Sequence, residues 1–451
     1  MISGENVRGI ALDILMESES KASHLVLGRT LSKYQYMDKK ERSFISRLTK
    51  GTIERRLTLD AMIGSYSSVK IGKMKPLIRN LLRMTAYQIY YMPAVPDAAA
   101  CNEAVTLAKK RGFRNLSGFV NGVSRSMARH KEDFQARMAD DGKDIKTLSF
   151  KYAMPEWLCR RWVGAYGLEN AIRTFSWFLE DHPTTVRLHR QSGEDGQADA
   201  FLETMAAEGI RTEISALIPF AFKIQGYDHL TALRPFQDGQ CYIQDESSML
   251  AVLAAGIRPS DRIIDVCAAP GGKSILASEY LKDGWIEARD LTEAKVERIR
   301  ENIQRTHAEH IRTRVQDARI FVKEDEGQAD IVLADLPCSG LGVIGRKPDI
   351  KYRITQEDIK ALSLLQKEIL AVAVRYLKPG GTLIFSTCTV SREENEENVR
   401  YMTEELGLIP ESLDPYLPEA LQGKGTAKGQ LLLLPGAYDT DGFFIARLRR
   451  K

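Results

Sequence analysis

Three sets of residues have types and spacings suited to chemistry. The first is the turn Cys267-Ala268-Ala269-Pro270-Gly271-Gly272-Lys273-Ser274, which follows the apolar run RIIDV and opens the helical pattern SILASEYLKD. Small residues there let a ligand approach the backbone, and the start of a helix offers N–H groups with positive partial charge. Three nucleotide-type readings compete. A phosphate loop needs a glycine five residues before the Gly-Lys-Ser, and that position holds Cys267. A GxGxxG pattern occurs at Gly340, Gly342 and Gly345, but Pro348 disfavours the helix that must follow it, so this stretch is expected to form a flexible active-site loop. The remaining candidate is a nucleoside ligand without a phosphate tail, such as S-adenosylmethionine.

The second set is acidic. Asp290 ends the second strand-like run, where a carboxylate can bind both ribose hydroxyls. Asp317 closes the third, placed for an adenine edge, and Asp335 closes the fourth. A single Asp at a strand end is usually a cap or loop former; three on successive strands beside a glycine turn point to a site. The third set is a pair of cysteines. Cys338 lies in DLPCSG just past the fourth run, and Cys388 in STCT at the end of the fifth. Neighbouring strands stand about 4.8 Å apart, so both sulfurs could flank one bound base. Cys101, Cys159 and Cys241 read as small buried hydrophobes, and Cys267 as a backbone contributor to the turn. His307 and His310 read as one solvated helix face, so no metal site is expected.

What must position these groups is the alternation of apolar runs and helical patterns from residue 241 onward. It predicts an α/β domain: a mostly parallel sheet whose antiparallel edge hairpin is formed by GQLLLLPG and GFFIARLRR. The first third reads instead as all-α. Val7, Ile10, Ala11, Ile14 and Leu15 form one apolar stripe, a second helix covers Leu77 to Tyr91, and a third runs from Asp97 to Gly112. Expected boundaries are 1–145, 146–240 (a connecting α+β subdomain with SGEDGQ, 192–197, as a surface loop) and 241–451. Residues 1–150 hold 26 Lys+Arg against 15 Asp+Glu, a balance of +11 that leaves −7 to the rest of a chain of net charge +4. A basic module joined to an acidic one suggests a polyanion-binding part attached to a part with another task. With 43% hydrophobic and 27% charged residues, whole-chain disorder is excluded. No apolar run suits a membrane span, no signal-peptide layout opens the chain, and six scattered cysteines form no CxxC pair; a reducing cytoplasm is the expectation.

The blocks DVCAAPGGKS, ADLPCSGLG, GRKPDIKYR and FSTCTVSREEN resemble the signatures of the Sun family of RNA cytosine-5 methyltransferases, and CYIQDESSMLAVLAAG and DGFFIARL are also similar to it. YQIYYMPAVPDAAACNEAVTLAKK and FVNGVSR resemble the NusB-like RNA-binding domain. The resemblance implies a Rossmann-like methyltransferase domain with a seven-stranded sheet, and methyl transfer from S-adenosylmethionine to carbon 5 of a cytosine in bacterial small-subunit (16S) rRNA, with RNA as partner and neither DNA nor membrane. Cys388 would attack carbon 6, Cys338 would assist loss of the carbon-5 proton, and Asp335 would hydrogen-bond the pyrimidine near N3. The turn from Cys267 to Lys273, with Asp290, Asp317 and Asp335, would hold the methyl donor, and Lys273 would favour the thiolate. A rival assigns the nucleophile to Cys338, because DNA cytosine-5 methyltransferases use a Pro-Cys motif. Glu397-Asn398-Val399 also imitates a motif of those enzymes, but SREENEENVRYM reads as a capped, charged surface helix. The same chemistry on tRNA, or a non-catalytic RNA-binding factor, are the alternative functions.

Overall fold

The computed structural model describes residues 6–189 and 196–451, so most of the expected loop 192–197 lies outside the described residues. The chain divides into two compact units. One comprises the residues up to Glu180 together with Ile344–Arg353; the other comprises Asp181–Val343 and Ile354–Lys451. The sequence placed its first change of texture at 145. The structure keeps residues 146–180 with the helices, because Glu156–Tyr166 and Leu168–Trp177 are themselves helical and bury Trp162, Phe175 and Phe178 together.

The helical unit forms for local reasons. Helix Val7–Glu17 is capped by Asn6, whose side chain accepts from the N–H groups of Arg8 and Gly9. Helix Pro76–Tyr91 begins on a proline, which costs nothing at a first turn, and stops before Pro93. It is buried continuously from Asn80 to Ile89, which makes it the central helix of the unit. Leu12, Leu48, Leu59, Ile63, Leu81 and Leu82 pack in one cluster around it. Each such burial stabilises by about 1.5–3 kcal/mol, so Leu81→Ala at this centre costs about 2–5 kcal/mol. Its one buried arginine is paired: Arg83 grips Asp60 with two hydrogen bonds of 2.6 and 2.7 Å.

The second unit carries two sheets. The smaller contains β1 (Thr184–Leu188), β2 (Arg211–Ile214), β3 (Ala221–Gln225) and β4 (Cys241–Ile243), antiparallel in the order β2-β3-β1-β4. The larger contains β5 (Arg262–Asp265), β6 (Trp285–Asp290), β7 (Ile311–Val315), β8 (Ala329–Asp335), β9 (Leu377–Thr387), β10 (Ile409–Pro410), β11 (Gln430–Leu433) and β12 (Phe443–Arg449). Its order is β10-β12-β9-β8-β5-β6-β7, with β11 also on β12; β5 to β9 are parallel and β12 runs antiparallel to β9. The mostly parallel sheet with a C-terminal antiparallel hairpin is as the sequence predicts, but it has eight strands, not seven. The extra strand, β10, has two residues, too few to leave an alternation pattern. Ile263, Leu333, Ile384 and Ile445 on neighbouring strands share one face cluster, while Ile264, Val332, Leu383 and Phe444 share the other. Burial on both faces explains why these strands read as continuous apolar runs. The chain leaves β5 for β6 and β7 on one side, then returns to place β8 on the other. The crevice beyond β5 and β8 is therefore the switch point at which open α/β sheets bind ligands.

Candidate active site

A cavity of about 220 Å³ opens at that switch point. Asp265 at the end of β5, the turn residues Cys267, Ala268, Ala269, Pro270, Gly272 and Lys273, and Asp335 at the end of β8 line it. Gly271 takes φ +105°, a backbone state that side-chain-bearing residues avoid, and helix Gly272–Ser278 starts there. Asp265 was missed in the sequence. Its Oδ2 accepts from Ser274 at 2.7 Å, while its Oδ1 is buried without a hydrogen-bond partner, and burial pushes the carboxyl up to about 7. An orphaned carboxylate oxygen in a small-residue cradle suits the cationic, phosphate-free end of a ligand such as S-adenosylmethionine. Burial also raises the Cys267 thiol well above its usual range, in keeping with a backbone role for that residue.

The other wall comes from β4 and the chain that follows it, through Tyr242, Gln244, Asp245 and, in helix Glu246–Leu253, Ser248. Gln244 is held by Arg187, a fully buried side chain of β1, whose Nε donates to Oε1 at 2.8 Å while its NH1 pairs with Glu279 at 2.5 Å. Sequence reasoning missed these residues because nothing in the pattern ties a short antiparallel sheet to the rim of a distant turn. The run CYIQDESS was visible only as a resemblance.

Asp335 and the two cysteines stand at the ends of adjacent strands, with Asp335 in register with Ser386. Asp335 Oδ2 accepts from Lys273 Nζ at 2.6 Å and Oδ1 from Ser386 Oγ at 2.9 Å. Each carboxylate oxygen keeps a lone pair for a further donor. Cys338 Sγ and Cys388 Sγ lie 3.2 Å apart, and both side chains are half-buried. The Cys338 thiol is pushed well above its usual range, first by its hydrogen bond with Cys388, then by burial, and further by the negative charges of Cys388 and Glu394.

Other predicted residues stand differently. Asp290 is buried and accepts from the N–H groups of Ala269 (3.0 Å) and Leu291 (2.7 Å), with Lys295 at 2.9 Å; it closes the turn from behind and does not line the cavity. Asp317 lies two residues beyond β7 and is captured by Arg319, through its N–H at 3.0 Å and a guanidinium nitrogen at 2.7 Å. Those bonds hold the Asp317 carboxyl below its ordinary range, and it too is absent from the cavity wall. The stretch at Gly340–Gly345 is no loose loop. Gly342 is buried, its N–H donates to Cys388 O and its carbonyl accepts from Gly442 N–H, and a Cβ there would clash with Gly442. The segment SREENEENVRYM is not a surface helix at its start. Glu394, Asn395 and Asn398 are fully buried, and the helix proper is Glu396–Glu404. Helix Glu293–Thr306 stops before His307, and both His307 and His310 adopt left-handed backbone, so they share no helix face. Among the described residues, no group of three or more His, Cys, Asp and Glu could hold a metal, and no helix is long and apolar enough to cross a membrane.

Comparison with known proteins bears on this site. Residues 252–449 match the family model of the 16S rRNA methyltransferases RsmB/F, and residues 5–129 match the NusB family. The chain is 36% identical over 451 residues to a probable ribosomal RNA small subunit methyltransferase B of Bacillus subtilis, covering 99% of each. It is 30% identical over the same length to the ribosomal RNA small subunit methyltransferase B of Cronobacter sakazakii, again covering 99% of each. In fold it is similar to the crystal structure of PH0851 (TM-score 0.81, 23% identity, 100% of both chains). It is similar also to NSun6 from Pyrococcus horikoshii, solved with SFG (TM-score 0.57, 23% identity, 66% of this chain and 99% of that one). A cavity at the switch point, a helical N-terminal region of NusB type and relatives matched end to end lead to one assignment: the chain belongs to the RsmB/F family of 16S rRNA methyltransferases, S-adenosylmethionine-dependent enzymes.

Proposed function

We propose that the protein methylates carbon 5 of a cytosine in 16S rRNA through a covalent adduct to Cys388. The observation that carries this reading is the pair of sulfurs 3.2 Å apart beside a carboxylate fixed at the end of β8. Carbon 5 of cytosine is a poor nucleophile. Addition of the Cys388 thiolate to carbon 6 forms an S–C bond and releases the ring double-bond pair to carbon 5, which becomes enamine-like. Bound S-adenosylmethionine supplies an electrophilic methyl group. The turn Cys267–Gly272, with Lys273 beside Asp335, and the orphaned Asp265 oxygen are the residues that would hold it.

The sulfur that attacks must be ionised. At a free pKa near 8.5 only about 3% of a thiol is thiolate at pH 7, an activation cost of about 2 kcal/mol. With Cys338, whose proton is strongly held, as the donor of the Sγ–Sγ hydrogen bond, that cost is lowered at Cys388. Once its own proton has passed to solvent after the attack, Cys338 is by the same feature the stronger base, fit to take the proton from carbon 5 while the Cys388–carbon 6 bond breaks, the ring double bond returns and Cys388 leaves as thiolate. Asp335, with Lys273 and Ser386 fixing its two oxygens, is the group for the N3 edge of the base.

The basic helical unit supplies phosphate contacts. Of its basic residues, Lys109, Lys110, Arg111 and Arg114 are exposed, whereas Arg42 is buried against Gln35 and Met37 carbonyls and Arg56 stacks on Tyr352 at 3.8 Å. Tyr352 is thus a packing residue rather than a base-stacking one. The test is methyl transfer from labelled S-adenosylmethionine to purified 16S rRNA and tRNA, with digestion and nucleoside mass spectrometry. Label in 5-methylcytidine from 16S rRNA is expected; label in another nucleoside, in tRNA alone, or in neither RNA overturns the reading.

A further inference from the structure

Glu394 takes no part in the chemistry described above, yet it is fully buried and sits between the two cysteine-bearing segments. Its Oε1 accepts from the Ser339 N–H at 2.8 Å and from Gln366 Nε2 at 3.2 Å. Its Oε2 accepts from Ser339 Oγ at 2.5 Å and Thr389 Oγ1 at 3.4 Å. Ser339 and Thr389 are the residues that directly follow Cys338 and Cys388, and their hydroxyls also meet each other at 2.8 Å. The neighbours reinforce the same bracket. Gln366 Nε2 donates to Pro337 O at 2.8 Å, on the near side of Cys338. Asn395 accepts from Thr387 Oγ1 at 2.6 Å and donates to Thr389 O at 3.0 Å, on both sides of Cys388.

A buried carboxylate is costly unless its oxygens are saturated with donors, and here four donors converge on it. The donors come from β8's loop, from β9's end and from helix Gln356–Tyr376, segments that share no local hydrogen-bond pattern. We infer that Glu394 is the positioning residue that sets the spacing and the protonation order of the Cys338–Cys388 pair. It touches neither substrate nor donor. Its carboxylate locks the backbone after each cysteine, which fixes the sulfurs in contact. Its negative charge disfavours a second anion at Cys338, so the pair presents one thiolate at Cys388 and one thiol at Cys338. Burial raises the Glu394 carboxyl above its ordinary range, and the donated hydrogen bonds oppose that rise.

The inference rests on the covalent reading above and is tested with the full-length chain. Glu394→Gln keeps the side-chain length but replaces one acceptor oxygen with a donor and removes the charge. S-Adenosylmethionine affinity by calorimetry and the KM for 16S rRNA should stay at the parental values, while kcat falls on the order of 10²-fold, the size of loss expected from a misaligned reacting pair. A purely structural role would not move a titration, so a second readout uses a Cys388→Ser background. There, the pH midpoint of Cys338 alkylation, followed by peptide mass spectrometry, should fall by on the order of one unit when Glu394→Gln is added. Should Glu394→Gln not fold, Ser339→Ala and Thr389→Val remove the donors instead, and each should lower kcat with unchanged donor affinity. Parental kcat in a folded Glu394→Gln variant, or in both donor variants, overturns the inference, as does an unmoved Cys338 midpoint. The parent protein with 5-fluorocytosine RNA separates the two levels of claim. If it forms no adduct, the cysteine chemistry fails and this inference with it; if it does and Glu394→Gln forms it at the same rate, the positioning role alone fails.

Discussion

Asp265 is tuned by where its strand ends. In an unfolded chain its carboxyl titrates near 3.9, whereas burial in the folded protein lifts it to about 7. Between about pH 4 and 7 the folded state therefore holds a proton that the unfolded state has lost, and stability declines as pH rises through that window. Above it the full penalty is present, of the order of a few kcal/mol. Asp265→Asn should raise the Tm of the ligand-free protein at pH 8 and leave it nearly unchanged at about pH 4, while weakening S-adenosylmethionine binding; parallel pH profiles of Tm for variant and parent would contradict this. The strand-end rule that picked Asp290, Asp317 and Asp335 from the sequence also covers Asp265, which the turn DVCAAPGG concealed by drawing attention to its glycines. At Asp317 the same rule finds the strand end, and Arg319, two residues on, holds the carboxylate. Strand-end position is legible in a sequence. Which neighbour claims the side chain is a matter of rotamers and tertiary approach, and is not.

Among the elements, the segment Ile344–Arg353 departs most from its sequence reading. GRKPDIKYR reads as charged and turn-prone, yet it belongs to the helical unit, where Ser23 Oγ donates to Asp349 at 2.6 Å and Tyr352 donates to Glu54 O at 2.9 Å. Lys351 within it is fully buried with no hydrogen-bond partner for its ammonium, and burial pushes its pKa down to about 7. A lysine depressed in the folded state from about 10.4 destabilises at and below pH 7, and the penalty fades as pH rises toward 10. Lys351→Met should therefore raise urea resistance at pH 7 by about 1–4 kcal/mol and have little effect near pH 10; lower stability at pH 7 would contradict the assignment. The helices and parallel strands of this chain were legible because their apolar periodicities are long. A four-residue helix such as Ile350–Arg353, or the buried trio Glu394, Asn395 and Asn398, carries no periodicity, and a charged residue is read by default as solvated.

The whole molecule joins a basic helical unit to a methyltransferase unit, and residues 1–150, all within the first, already carry +11 against −7 for the rest of the chain. If the basic surface grips phosphates, RNA affinity must fall linearly with salt on a logarithmic scale, by about 0.9 in slope per neutralised phosphate in duplex regions. Replacing Lys109, Lys110 and Arg114 together with alanine should reduce that slope by about 2–3 and leave S-adenosylmethionine affinity untouched. An unchanged slope would move the RNA surface elsewhere.

Which sulfur attacks is the point on which the proposed chemistry turns. RNA containing 5-fluorocytosine cannot lose its carbon-5 substituent as a proton, so the adduct persists and can be located by peptide mass spectrometry. With this RNA and S-adenosylmethionine, the parent and Cys338→Ala should both carry the nucleotide on the Cys388 peptide, and Cys388→Ala should carry none. A nucleotide found on Cys338 in the Cys388→Ala protein would contradict the account.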